Sequence, residues 1–232
     1  MAGKGEVAEE AAQGSNDAPP YLSSFTHTPF YCEENVYFLC KKLCMLGIAD
    51  EKGADLFVVF ISNEERKIPM WYQKASKQTD GLVIWDYHVI CIQSQKSEQG
   101  IPHYMVWDLD SSLPCPLPLN EYFGKAILAP FALDPTYNRL FRVVHAPSFL
   151  QWFASDRSHM KDPLGNWVSP PPMYKPVVAE DGTKNNLDEY IRMSDADVVT
   201  GKEASTAGVY SNKFGVVISE MMLEDFFSQI QH

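Results

Sequence analysis

Apolar side chains return at the helical interval along 32–46. Val36, Leu39, Cys40, Leu43, Cys44 and Leu46 recur at i, i+3, i+4 and i+7, and Gly47 supplies a stop. A helix over 32–46 follows. Residues 56–62 are a short apolar, β-branched run ended by Asn63, the pattern of a buried strand. Residues 82–92, rich in Val, Ile, Trp and Tyr after Gly81, predict a longer strand. The polar stretch 93–100 separates it from an alternating run at 104–109, a hairpin signal. A further strand is expected over 140–146, stopped by Pro147.

The second half of the chain is less regular. Residues 163–176, PLGNWVSPPPMYKP, hold five prolines, whose missing N–H groups exclude a helix or a central strand. The acidic stretch 180–205 predicts a surface loop with a short helix near 187–192. Over 219–231 an amphipathic helix is expected, with Met222, Leu223, Phe226, Phe227 and Ile230 on one face. Residues 1–20 contain Ala, Gly, Glu and Ser but no large apolar side chain, so they read as a disordered tail ahead of a single domain over 21–232. The fold class expected is α+β: a mainly antiparallel sheet packed against helices, with no internal repeat and no Gly-rich phosphate loop.

Composition narrows the classes. The chain has 232 residues, 45% hydrophobic and 21% charged, which is ordinary for a globular protein and excludes fibrous classes. Its longest apolar runs, 56–61 and 127–133, fall far short of the roughly 18 residues of a membrane span. The net charge of −11 is concentrated in two places. Residues 1–20 set Lys4 against Glu6, Glu9, Glu10 and Asp17, and residues 176–200 set Lys184 and Arg192 against six acids. No basic stripe is present to draw phosphates, so neither a nucleic-acid nor a membrane partner is expected. The first twenty residues show no apolar h-region, hence no secretory or organellar address. Five cysteines, an odd number, fit free thiols in a reducing compartment, cytosol or nucleus.

Cys32 opens the first predicted helix. Unpaired N–H groups and the positive end of the helix dipole stabilise a thiolate there, lowering a cysteine pKa from about 8.5 toward ~3.5–7.5, and the same N–H groups could line an oxyanion hole. The plain alternative is a small buried hydrophobe. Cys40 and Cys44 share a helix face at i, i+4 but lie among Val36, Leu39 and Leu43, so core packing is the better reading than metal ligation. Cys91 and Cys115 have no base nearby in sequence.

Strand alternation puts Val83, Trp85, Tyr87, Val89 and Cys91 on one face and Ile84, Asp86, His88, Ile90 and Ile92 on the other. The first face is wholly apolar, so the face with Asp86 and His88 is the one that must tolerate polarity. A hairpin centred on Glu98 pairs Ile92 with Tyr104, Ile90 with Val106 and His88 with Asp108. Directly opposed residues have Cβ atoms about 4.5–5.5 Å apart, close enough for an imidazole to donate to a carboxylate. A shift of two residues in that register offers Asp110 instead. A His facing an Asp is often only a satisfied polar pair. With Cys32 upstream, however, the three supply nucleophile, base and orienter.

Several segments together, YCEEN at 31–35, FISNEERKIPMW at 60–71, VIWDYHV at 83–89, WDLD at 107–110 and FASDRSHMKDPLGNW at 153–167, resemble the protein N-terminal glutamine amidohydrolase family. The resemblance runs from about residue 31 to 172. It implies a compact monomer with a papain/transglutaminase-like Cys-His-Asp active-site layout, in which Cys32, His88 and Asp108 are the catalytic residues. It also implies deamidation of an N-terminal glutamine of proteins or peptides to glutamate with release of ammonia, ahead of arginylation in the N-degron pathway. No metal and no organic cofactor is required.

Two other classes use the same features. A cysteine peptidase or acyltransferase would employ the same triad, and a non-catalytic reader of protein N-termini would bind without turnover. Only a free α-ammonium separates an N-terminal glutamine from an internal one, so carboxylate or carbonyl acceptors are expected around it. Glu34, close to Cys32 in the first helical turn, and Asp156, in the ASDRSH segment, are the candidates. Each also has a plainer reading, as a dipole-complementing acid and as a loop cap or partner of Arg157. The segment 153–176 is expected to wall the pocket through Trp167 and the prolines.

Overall fold

The architecture is organised around β1 (Leu56–Ser62), which is buried at every position. A run of large apolar and β-branched side chains without polar alternation is stable only where both faces are covered. Antiparallel neighbours flank it, β4 (His88–Lys96) on one side and β7 (Leu140–His145) on the other. Past β4 the sheet continues through β5 (Pro102–Trp107) to β6 (Leu117–Pro118), and past β7 to β8 (Val216–Ser219), in the order β6-β5-β4-β1-β7-β8. The computed structural model describes residues 25–97, 99–128 and 133–230. The tail expected over 1–20 lies outside them.

Helices cover both faces. Beneath α1 (Cys32–Met45), α3 (Ala146–Trp152) and α4 (Leu187–Ile191) lies one core, built on Val58, Phe60, Val89, Cys91, Trp107 and Val144. The opposite core holds Phe57, Val59, Ile61, Ile90, Ile92 and Val143 against α2 (Leu119–Tyr122), α5 (Lys202–Ser211) and α6 (Leu223–Gln229). The result is a single α+β domain with a mainly antiparallel sheet. Among the described residues no helix is long and apolar enough to cross a membrane.

The strand expected over 82–92 is two strands. β3 (Val83–Trp85) pairs with β2 (Ile68–Met70) in a separate two-stranded sheet, and the chain re-enters the main sheet at His88. Beyond His88 both faces of β4 are apolar as far as Ile92, since Ile90 and Ile92 enter the second core. Polar side chains resume at Gln93 and Ser94, both buried.

The hairpin register also differs from the expected one. Ile92 pairs with Val106 and Cys91 with Trp107, because the loop is centred on residue 99 and the last pair is Lys96 with Pro102. Gly100, at φ +77°, donates its N–H to Ser97 O at 2.8 Å and closes that loop in a conformation that favours glycine. Pro147 does not merely stop β7: it lies in the first turn of α3, where its missing N–H costs nothing. The terminal helix is shorter than expected, with β8 and a 3₁₀ turn at Glu220–Met222 preceding α6.

Candidate active site

Cys32 is the first residue of α1 and only 8% exposed. Asn35 fixes the approach to the helix, accepting from Thr28 N–H and donating to Thr28 O, both at 2.8 Å. Cys32 opens into a cavity of about 300 Å³ shared with Trp85, Asp86, Tyr87, His88, Asp110 and His159, and completed by Phe30, Met160, Val168 and Ser169. The dipole argument does not decide the state of this thiol. Burial, then the charges of Glu33, Asp110 and Asp86, push its pKa well up, and the Val89 N–H beside the sulfur only partly opposes them. These influences favour the neutral thiol, so forming the thiolate calls for a base in the same cavity.

His88, on the wall of the same cavity, is the candidate for that base. His88 Nε2 lies 3.0 Å from Asp108 Oδ1, with both side chains buried. A carboxylate only accepts, so Nε2 carries the proton and Nδ1 is the nitrogen left for a reacting group. Burial pulls the imidazole pKa down, but the charge and hydrogen bond of Asp108 outweigh it and the net direction is upward. The same pairing, joined by Tyr122 O–H donating to Asp108 Oδ2 at 2.7 Å and Asp110 N–H donating to Oδ1 at 3.0 Å, overcomes burial and lowers the Asp108 pKa. Trp85 stacks on the imidazole, with ring centroids 5.7 Å apart and planes 16° apart, and its Nε1–H is anchored on Gln73 at 3.2 Å. The ring can neither tilt nor slide freely.

Ligand atoms of His88, Asp108 and Asp110 lie within 4.8 Å of one another, a grouping that could hold a metal ion. His88 Nε2 and both Asp108 oxygens are already committed, to each other, to Tyr122 O–H and to Asp110 N–H, and Asp110 Oδ1 faces His27 Nε2 at 2.8 Å, which leaves His88 Nδ1 and Asp110 Oδ2. The donor set fits a hydrogen-bonded orienting network better than a coordination sphere.

Glu34 and Asp156 stand elsewhere. Glu34 is wholly buried in a two-pronged ion pair with Arg157, Nε and Nη2 each at 2.8 Å. Asp156 is exposed and caps a turn, accepting from Ser158 N–H at 2.9 Å. Neither lines the cavity. The acids that do are Asp86 and Asp110.

Arg157 also donates to Pro172 O at 3.2 Å and Tyr174 O at 3.0 Å, so the Glu34 pair fastens the Pro-rich segment to α1. Tyr31 O–H donates to Ser169 O at 3.0 Å and adds a second tie. The segment walls the cavity through Val168 and Ser169 rather than through Trp167, which is half exposed under Lys161. Sequence reasoning gave no place in the site to His27 or Tyr122, and it offered Arg157 to Asp156 rather than to Glu34. The Glu33–Glu34 doublet beside Cys32 was the one available signal, because two acids so close to an apolar helix face need partners.

The profile of the N-terminal glutamine amidase family matches residues 27–227. The chain is 59% identical over 208 residues to a protein N-terminal glutamine amidohydrolase of Oryza sativa subsp. indica, covering 90% of this chain and 89% of that one. Identity to the Arabidopsis thaliana protein of the same name is 53% over 207 residues, covering 89% and 93%. For the Bos taurus protein of that name it is 38% over 190 residues, covering 82% and 88%. With the profile spanning nearly all of the described domain, the chain belongs to the N-terminal glutamine amidase family.

Proposed function

We propose that this protein hydrolyses the side-chain amide of an N-terminal glutamine, releasing ammonia and leaving glutamate, with Cys32, His88 and Asp108 as its catalytic residues. The observation that carries the reading is the meeting, in one cavity, of a thiol at a helix start and an imidazole held by a buried carboxylate. A cysteine opening a helix beside a histidine on a neighbouring strand is also the layout of papain-like and transglutaminase enzymes, which use it for acyl transfer. The names of the relatives supply the substrate.

In this mechanism His88 Nδ1 takes the Cys32 proton as the sulfur attacks the amide carbon. N–H groups of the first turn of α1, which have no intrahelical partner, hold the developing oxyanion. His88 then gives its proton to the departing nitrogen, and ammonia leaves a thioester. Water, deprotonated by the same nitrogen, cleaves the thioester to glutamate and restores the thiol. Asp108 keeps Nε2 protonated and stabilises the imidazolium formed twice in the cycle. No step calls for a metal or an organic cofactor.

Asp86 and Asp110, the carboxylates on the cavity wall, receive the substrate's α-ammonium. Asp86 is the more available, since it is exposed and, among the described residues, its Oδ1 accepts only the adjacent Tyr87 N–H at 3.0 Å. Glu34 and Asp156 are spent on Arg157 and Ser158. The product carries an N-terminal glutamate, the substrate class of arginylation, so the activity feeds the N-degron pathway. Five cysteines without a disulfide fit the reducing compartments where that pathway operates.

The test is ammonia release from a peptide beginning with glutamine, run beside its N-acetylated form and the Cys32→Ala protein. Ammonia from the free peptide alone supports the reading. Cleavage of the peptide backbone or transfer to an amine would indicate a peptidase or acyltransferase, and binding without turnover a reader of N-termini.

A further inference from the structure

Glu33 follows Cys32 in α1 and is wholly buried. Its neighbour Glu34 is neutralised by Arg157, whereas Glu33 has no Arg or Lys partner among the described residues. Glu33 Oε2 accepts from the Tyr87 hydroxyl at 3.0 Å and lies 3.8 Å from Cys32 Sγ. Glu33 Oε1 has no hydrogen-bond partner among the described residues, and His159 Nε2 stands 3.6 Å from it. Tyr87 Oη in turn lies 3.2 Å from the same His159 nitrogen, and both Tyr87 and His159 line the cavity. A chain of hydrogen-bonding groups therefore leads from the sulfur, through Glu33 and Tyr87, to the cavity wall.

This chain can run in two directions. With Glu33 ionised, His159 Nε2–H donates to Tyr87 Oη, Tyr87 donates to Glu33 Oε2, and the Cys32 thiol faces that same oxygen. With Glu33 protonated, its O–H donates to Tyr87 Oη, the Tyr87 proton turns to His159 Nε2, and no charge opposes a thiolate. A bare buried carboxylate oxygen is costly, and burial pushes the Glu33 carboxyl up to about 7. Both forms are therefore accessible near neutrality. The titratable groups within reach of Glu33 are Cys32 and Glu34 on α1, Tyr31 just ahead of it, Tyr87 ahead of β4, His159 in the 3₁₀ turn Ser158–Met160 and Tyr174 in the Pro-rich segment. Its charge also reaches His88.

We infer that Glu33 is a positioning residue for the sulfur: protonated it permits the Cys32 thiolate to form, and ionised it holds the proton on the thiol. Tyr87 and His159 pass the exchanged proton between Glu33 and the cavity. The inference rests on Cys32 being the nucleophile.

The test measures how the rate of Cys32 alkylation by iodoacetamide depends on pH, read as the difference from Cys32→Ala, in the wild type and in Glu33→Gln. In parallel, kcat for ammonia release from a glutamine-initiated peptide is followed over the same pH range. Glutamine keeps the shape without the charge. The pH of half-maximal alkylation should fall by about 1 or more, the size of shift produced by removing a close like charge. The alkaline decline of kcat should disappear in Glu33→Gln with KM little changed. Tyr87→Phe removes the donor to the ionised form, so it should move that decline to higher pH. An unmoved alkylation midpoint, or a loss of kcat equal at every pH, would overturn the inference. Should Glu33→Gln fail to fold, an unmoved alkaline decline in Tyr87→Phe would do the same. Ammonia release retained by Cys32→Ala would instead remove the nucleophile assignment, and this inference with it.

Discussion

His88 Nε2 is hydrogen-bonded to Asp108, not to Asp110, although the register of the β4–β5 ladder, extended from Cys91–Trp107, places Asp110 opposite His88. β5 ends at Trp107, so Asp108 leaves the ladder and reaches His88 diagonally. Asp110 turns its Oδ1 to His27 and gives its N–H to Asp108. Asp108→Asn should therefore lower kcat by orders of magnitude, comparable to the roughly 10⁴-fold loss of the corresponding change in a serine triad. Asp110→Asn should act mainly on KM. Steady-state kinetics of the two variants check this, and a larger kcat loss in Asp110→Asn would reverse the assignment.

Cys32→Ala and Cys32→Ser should both lose measurable ammonia release while keeping the melting temperature of the parent. A serine hydroxyl at its own pKa is a poor nucleophile for a base arranged around a thiol. EDTA should leave the wild-type rate unchanged.

If Asp86 and Asp110 take the α-ammonium as proposed, an acetylated glutamine peptide should not turn over, because that charge is gone. Asp86→Asn should raise KM for the free peptide more than it lowers kcat. A free and an acetylated peptide hydrolysed at equal rates would refute ammonium recognition.

Glu34→Gln and Arg157→Met should each destabilise the fold by about 3–5 kcal/mol, because each strands the other's buried charge. The double variant should recover part of that loss. Denaturant unfolding of the three proteins measures it, and Arg157→Met should also loosen the wall at Val168 and Ser169.

Stability should fall on acidification in a way Asp108 helps to set. Burial alone would raise its pKa, but His88's charge and hydrogen bond, with Tyr122, hold the carboxyl below the ordinary carboxylate value. The unfolded chain then binds a proton at higher pH than the folded one. This contribution is complete above the ordinary carboxylate pKa and is lost as pH falls through the folded value. Urea midpoints across the acid range should show that slope flattened in Asp108→Asn.

What the amino-acid sequence determined by itself is what short-range repetition can encode. The apolar spacing from Val36 to Leu46 made α1, and the unbroken run of β1 made a strand buried on both faces. That Cys32 opens a helix and that a hairpin follows His88 was legible because helix starts and hairpins are local structures. Tertiary structure decided the rest. The break after Trp85 was hidden because Val83 to Ile92 reads as one apolar strand until β2 takes Val83–Trp85 into its own sheet. The hairpin register depended on which loop residue adopts positive φ, and a shift of one pair exchanges the residues that meet. The partner of Glu34 lies 123 residues away, so no spacing rule could choose Arg157 over solvent, or leave Glu33 beside the sulfur with Tyr87 and a bare oxygen. Such pairings are settled by which groups lose water together when distant segments pack, and that is a property of the packed domain rather than of any stretch of chain.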